Sequence, residues 1–155
     1  MESSSIKLDQ LHFYPYHENF QKKVRHFHTS FGFNNNLSIT PSLAQLMRLL
    51  VVIKSNCVRC VVLHTKIASD MNIAGEKINQ LFNYEDSDVF TLQEKIALCY
   101  AHTLVLGAPN GFNKCAEALK ANFSEAKIIE MAIIVLSMKE WAQEHLNKGA
   151  ITFYT

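Results

Sequence analysis

The scarcity of chain breakers constrains this sequence more than any other feature. Only five Gly and three Pro occur in 155 residues. A sandwich or barrel of short strands needs turn residues every few positions, and this chain does not supply them. Long breaker-free stretches remain, and they carry apolar residues at helical spacing. Thr40-Pro41 has the form of a helix start, with Thr40 as N-cap and Pro41 at the first helical position. The helix that follows runs through Leu43, Leu46, Leu50 and Ile53 toward Asn56, and a second runs from about Cys57 to Met71. A short helix is expected from Glu76 to Phe82, followed by an acidic loop at Glu85-Asp86-Ser87-Asp88. Thr91-Leu92-Gln93-Glu94 reads as a capping box opening a helix through Ile96, Cys99 and Leu106. A short helix from Gly111 to Asn122 comes next, then a long one capped by Ser124, with Gly149 expected past its end.

Two apolar runs, Leu49–Ile53 and Ala132–Leu136, are rich in β-branched residues, and periodicity alone does not separate buried strand from buried helix there. Length decides. Each lies in an uninterrupted stretch well beyond the usual strand of about 5–6 residues, so the reading is all-α. Helices apolar nearly all round belong in a core or at a subunit interface. One domain spanning residues 1–155 is expected, with 1–39 an aromatic-rich helical segment.

Charge and compartment narrow the function classes. A net charge of +1 gives no basic surplus for phosphate contacts, so nucleic acid is not an expected partner. Met1–Lys7 has no apolar h-region, and the densest apolar stretch, Leu43–Ile53, falls short of the ~20 residues a membrane span needs. A cytoplasmic protein is expected, in which cysteines stay reduced unless they perform redox chemistry or bind metal.

The four cysteines therefore carry the information. Cys57-Val58-Arg59-Cys60-Val61-Val62-Leu63-His64 is a C-x-x-C-x-x-x-H run. On a helix, Cys57, Cys60 and His64 line one face. A helix N-terminus stabilises a thiolate, with Arg59 adding positive charge beside it. A second thiol one turn away can resolve a sulfenic acid into a disulfide, and a histidine can handle protons. Two plainer readings stand beside this one. The cysteines could be small buried residues, since free Cys packs like a hydrophobe. Alternatively Cys57 and Cys60 could join Cys99 and His102 as a four-ligand zinc set, although structural zinc sites favour looser knuckles than apolar helices. No metal or other cofactor is expected. Cys115 reads as a packing residue, and His102 as a satisfied core or interface histidine.

With these residues in view, the chain from about Leu43 to Trp141 resembles the AhpD-like branch of the carboxymuconolactone decarboxylase superfamily. The resemblance rests on an apolar helix leading into C-x-x-C-x-x-x-H, a capped helix at Leu92–Ala101, and the segment Phe123–Glu130. It implies an all-α protein assembling as a trimer or hexamer. It also implies reduction of a small hydroperoxide with electrons from a dithiol or lipoyl-type donor. Cys60 would be the peroxidatic cysteine, Cys57 its partner and His64 the relay histidine. Two positions depart from the family pattern. Gln45 stands where a Glu is usual and can orient but not take a proton at neutral pH. Arg59 stands where the better-known peroxidase has His, and it can stabilise a thiolate without relaying protons. Two other functions remain open on the sequence: a decarboxylase-type enzyme, whose turnover would survive loss of both cysteines, and a non-catalytic redox-sensing oligomer.

Overall fold

The computed structural model describes residues 38–106 and 109–152. Six α-helices occur among them: α1 (Pro41–Lys54), α2 (Val58–Asp70), α3 (Gly75–Gln80), α4 (Leu92–Leu106), α5 (Pro109–Asn122) and α6 (Glu125–Thr152). A 3-10 segment, Leu81–Asp86, follows α3. Both ambiguous apolar runs are helical, within α1 and α6.

Helix α1 starts at the expected signal. Thr40 is extended, its Oγ1 accepts from the Leu43 N–H at 3.2 Å, and Pro41 occupies the first turn, where a backbone N–H would lack a partner. Every residue from Leu43 to Val52 is buried, Gln45 and Arg48 included. A helix buried on all sides needs neighbours around it, and α1 packs against α2, α4 and α6. Leu46, Met47, Leu50, Leu98, Met131 and Ile134 belong to a continuous core at these contacts.

Helix α2 buries a single face, Cys60, His64 and Ala68, at spacings of one and two turns. The junction between α1 and α2 is only three residues, Ser55, Asn56 and Cys57. Asn56 adopts a left-handed conformation (φ 57°), which asparagine tolerates better than most residues. Its N–H donates to Ile53 O, and the Cys57 N–H donates to Val52 O, the paired bonds of a Schellman cap. Cys57 is thus the last residue of one cap and the N-cap of the next helix, with its own carbonyl accepting from Val61 N–H at 2.9 Å. Asn72 (φ 62°) closes α2 in the same way, through Asn72 N–H to Ser69 O and Ile73 N–H to Ala68 O.

Three details depart from the sequence reading. The helix expected over Glu76–Phe82 ends at Gln80, and the chain tightens into a 3-10 turn that takes in Glu85 and Asp86 of the expected loop. The tighter winding aligns positions three apart, which buries Leu81 and Tyr84 together. Helix α5 begins at Pro109, earlier than Gly111, since Pro suits a first helical position. Helix α6 runs through Gly149 to Thr152, where an interior Gly costs only about 1 kcal/mol and does not stop a long helix.

The capping signals hold in detail. Thr91 N–H donates to the Glu94 carboxylate at 3.0 Å, and Glu94 N–H donates to Thr91 Oγ1 at 3.1 Å. Ser124 Oγ accepts from Lys127 N–H at 3.3 Å. The aromatic segment expected over 1–39 lies outside the described residues, apart from Ser38 and Ile39. Ser38 donates from its N–H and its hydroxyl to the Glu130 carboxylate of α6. Among the described residues no helix is long and apolar enough to cross a membrane.

Candidate active site

The Schellman turn at Asn56 delivers Cys57 to the N-cap of α2, and Cys60 follows three residues on. Their Cα atoms are 5.2 Å apart and the two are joined as a disulfide. Both are buried, 3% and 1% exposed, so their sulfurs lie under the surface at the start of α2. The N-cap carries no side-chain hydrogen bond. First-turn N–H groups of α2 therefore lack the usual cap oxygen, and a thiolate formed there gains their partial positive charge.

His64 sits one turn beyond Cys60, and its surroundings define its chemistry. Gln45 Nε2 lies 3.0 Å from His64 O and 3.3 Å from His64 Nδ1. The Gln45 amide is oriented from its other end, where Oε1 accepts from the Arg48 guanidinium at 3.3 Å. Arg48 has no acceptor atom, so the bond fixes which end of the amide is oxygen. The amide nitrogen then faces Nδ1, which accepts, and the network assigns the proton of the neutral ring to Nε2. A carboxylate at position 45 would impose the opposite tautomer, accepting from Nδ1–H. On the far side Trp141 of α6 meets the His64 ring edge-on, at 5.2 Å between centroids and 87° between planes. Trp141 in turn lies against His145, centroids 3.9 Å apart.

Arg48 is 4% exposed, and burial lowers its pKa to about 10, which still leaves it cationic at neutral pH. Arg59, the expected thiolate-stabilising residue, is exposed on the first turn of α2, where water screens its charge. The buried cation of this network is Arg48. Its signal in the sequence was a charged residue inside an apolar run, three positions from the only other polar interruption. Trp141 gave no such signal.

The structure assembles Gln45, Cys57, Cys60 and His64 around the α1–α2 junction and does not assemble the zinc set. Among the described residues no three or more His, Cys, Asp or Glu converge as ligands. The reading of Cys115 as a packing residue is corrected. Cys99 on α4 and Cys115 on α5 are joined as a second disulfide, with Cα atoms 6.7 Å apart. The reading of His102 as satisfied is corrected too, since its buried Nδ1 has no hydrogen-bond partner among the described residues.

Comparison with known proteins places the fold. A crystal structure from Agrobacterium tumefaciens superposes with a TM-score of 0.71 over 84% of this chain and 87% of that one, at 20% identity. That protein is of unknown function and has been proposed as the antioxidant defence protein AhpD. The fold is AhpD-like. No family model and no curated protein matches the sequence. At 20% identity the likeness speaks for the helical framework, and the chemistry must be argued from this chain's own residues.

Proposed function

We propose that the protein is a thiol-dependent hydroperoxide reductase with an antioxidant role, an oxidoreductase of peroxiredoxin type. The observation that carries the reading is the cysteine pair buried at the N-terminus of α2, with His64 one turn on and held by Gln45. Cys60 is the attacking residue because it lies inside the first turn of α2, one turn from His64, whereas Cys57 is the extended N-cap residue before that turn. Its thiolate attacks the terminal oxygen of the hydroperoxide, the O–O bond breaks, and the alkoxide leaves and takes a proton from water. Cys60 is then a sulfenic acid. Cys57 attacks its sulfur, water departs, and the Cys57–Cys60 disulfide results. A dithiol or lipoyl-type donor reduces that disulfide by thiol–disulfide exchange.

The tautomer gives His64 a defined part in this scheme. With Nδ1 occupied by Gln45, the ring offers Nε2–H, a donor rather than a base. It steadies developing negative charge, while ionisation of Cys60 relies on the helix terminus. The reading brings with it a cytoplasmic homo-oligomer, trimeric or hexameric. Exposed Val58, Val62, Ile129 and Leu136 supply apolar surface in keeping with subunit contacts.

Peroxide consumption measured with several dithiol donors tests the proposal. Turnover in the parent and its loss in Cys60→Ser are expected. Equal turnover in both proteins, or none in the parent with any donor, contradicts it. Burial of both cysteines favours a second reading, a redox-sensing oligomer, which predicts one stoichiometric oxidation per chain and no sustained cycle.

A further inference from the structure

The second cysteine pair has surroundings of its own. Cys99 and Cys115 both line a cavity of about 320 Å3 between α4, α5 and the 3-10 segment. Ile96 forms part of its apolar wall, and Tyr84, Glu85 and Lys95 bring polar groups to it. Lys95 Nζ donates to Glu85 O at 3.1 Å, which ties α4 to the 3-10 segment beside the cavity. The two sulfurs are not equivalent. Cys99 is half-buried, whereas Cys115 is 4% exposed. Thr103 adds a chemical asymmetry. Its hydroxyl proton is given to Cys99 O at 2.9 Å, so toward Cys115 Sγ, 3.8 Å away, Oγ1 can only accept. A reduced Cys115 therefore has an acceptor for its S–H. His102, one turn from Cys99, carries a buried ring nitrogen without a partner among the described residues.

We propose that Cys99 and Cys115 are a second redox-active pair, opened and closed by a low-molecular-weight thiol that reaches Cys99 through this cavity. An external thiolate attacks Cys99 Sγ, the S–S bond breaks, and Cys115 leaves with the electron pair. Cys115 takes a proton from water and donates its S–H to Thr103 Oγ1. A second external thiolate attacks the outer sulfur of the mixed disulfide and releases Cys99. Two small thiols become one small disulfide, and two electrons enter the protein. The reverse sequence, driven by the small disulfide, ties α5 to α4 again. The site is independent of the pair on α2 and does not rest on peroxide chemistry.

Glutathione serves as the probe, with the full-length chain carrying Cys57→Ser and Cys60→Ser. Peptide mapping across graded ratios of reduced to oxidised glutathione is expected to show a Cys99–Cys115 linked peptide that appears and disappears in one two-electron transition. With Cys115→Ser added, Cys99 is expected to capture one glutathione. With Cys99→Ser added instead, Cys115 is expected to react at least ~10-fold more slowly, because its sulfur is buried where that of Cys99 is only half-buried. Absence of the linked peptide at every ratio overturns the proposal, as does a Cys115 that reacts as fast as Cys99. If a serine variant fails to fold, the same mapping of the parent chain, which carries no substitution, decides whether the link forms and opens.

Discussion

The two cysteine pairs share one chemistry and occupy opposite architectural situations. Cys57 and Cys60 lie three residues apart, at the start of one helix, with the polar chain Arg48–Gln45–His64 behind them. Cys99 and Cys115 lie sixteen residues apart, on two helices, beside a cavity. Closing the first pair changes little in chain topology, and its value lies in the electrostatics of a helix terminus. Closing the second removes freedom from the unfolded chain and fastens one helix to another. A disulfide at a helix start is thus suited to meeting an oxidant, and one between helices to fastening them together for as long as small thiols leave it closed.

That contrast can be broken most sharply through activity. Cys60→Ser is expected to lower peroxide turnover by at least ~1000-fold, as expected for loss of a nucleophile, whereas Cys115→Ser stays within about twofold of the parent. Steady-state peroxide consumption with a dithiol donor measures both. A comparable loss in the two variants would erase the division of labour.

Stability should reverse the order. Loop-closure entropy assigns about 3 kcal/mol to a link of the Cys99–Cys115 kind and about 2 kcal/mol to one as short as Cys57–Cys60. Denaturant unfolding of oxidised Cys115→Ser and Cys57→Ser checks this, and a larger loss in Cys57→Ser would contradict it.

A smaller effect is expected from Gln45→Glu. A carboxylate there would accept from His64 Nδ1–H, reverse the tautomer and leave Nε2 able to act as a base. Peroxide turnover is expected to rise about tenfold, short of the ~100-fold or more that a fully effective general base contributes, with a new pH dependence, while thiol exchange at Cys99 is unaffected. No change in rate or pH profile would show that the Gln45–His64 contact only packs.

The smallest effect lies on the helix that carries Cys99. Burial pushes the Glu94 carboxyl up, but its hydrogen bonds from Lys77 and Thr91 outweigh this and hold its pKa below the usual carboxylate value. A depressed carboxyl stabilises the fold above its unfolded pKa, and the contribution is lost as pH falls through the folded value. Glu94→Gln is therefore expected to cost about 1 kcal/mol near neutral pH, and the difference from the parent should vanish in acid. Unfolding followed against pH tests it, and a gap that persists in acid would point to packing instead.

Much of the framework was legible because its signals are local. Thr40-Pro41 and Thr91–Glu94 act within one turn, and the spacing of Cys57, Cys60 and His64 places them on one face of any helix. What escaped depends on residues distant in the chain. Nothing near Cys115 distinguishes it from an ordinary buried residue, because its partner is sixteen positions away on another helix. Trp141 meets His64 only through the packing of α6. Gly149 carried a real local preference, which the continuation of a long helix overrode. Gln45 was legible as an oddity, but its role depends on Arg48 fixing the amide, a fact of buried geometry.

The central claim is that Cys60 is the atom that meets the oxidant. Removing its partner should strand the intermediate, so the direct measurement is dimedone labelling followed by mass spectrometry after brief peroxide exposure. The account predicts a dimedone adduct on Cys60 in Cys57→Ser and none on Cys57 in Cys60→Ser. An adduct on Cys57 alone, or none at Cys60, would contradict it.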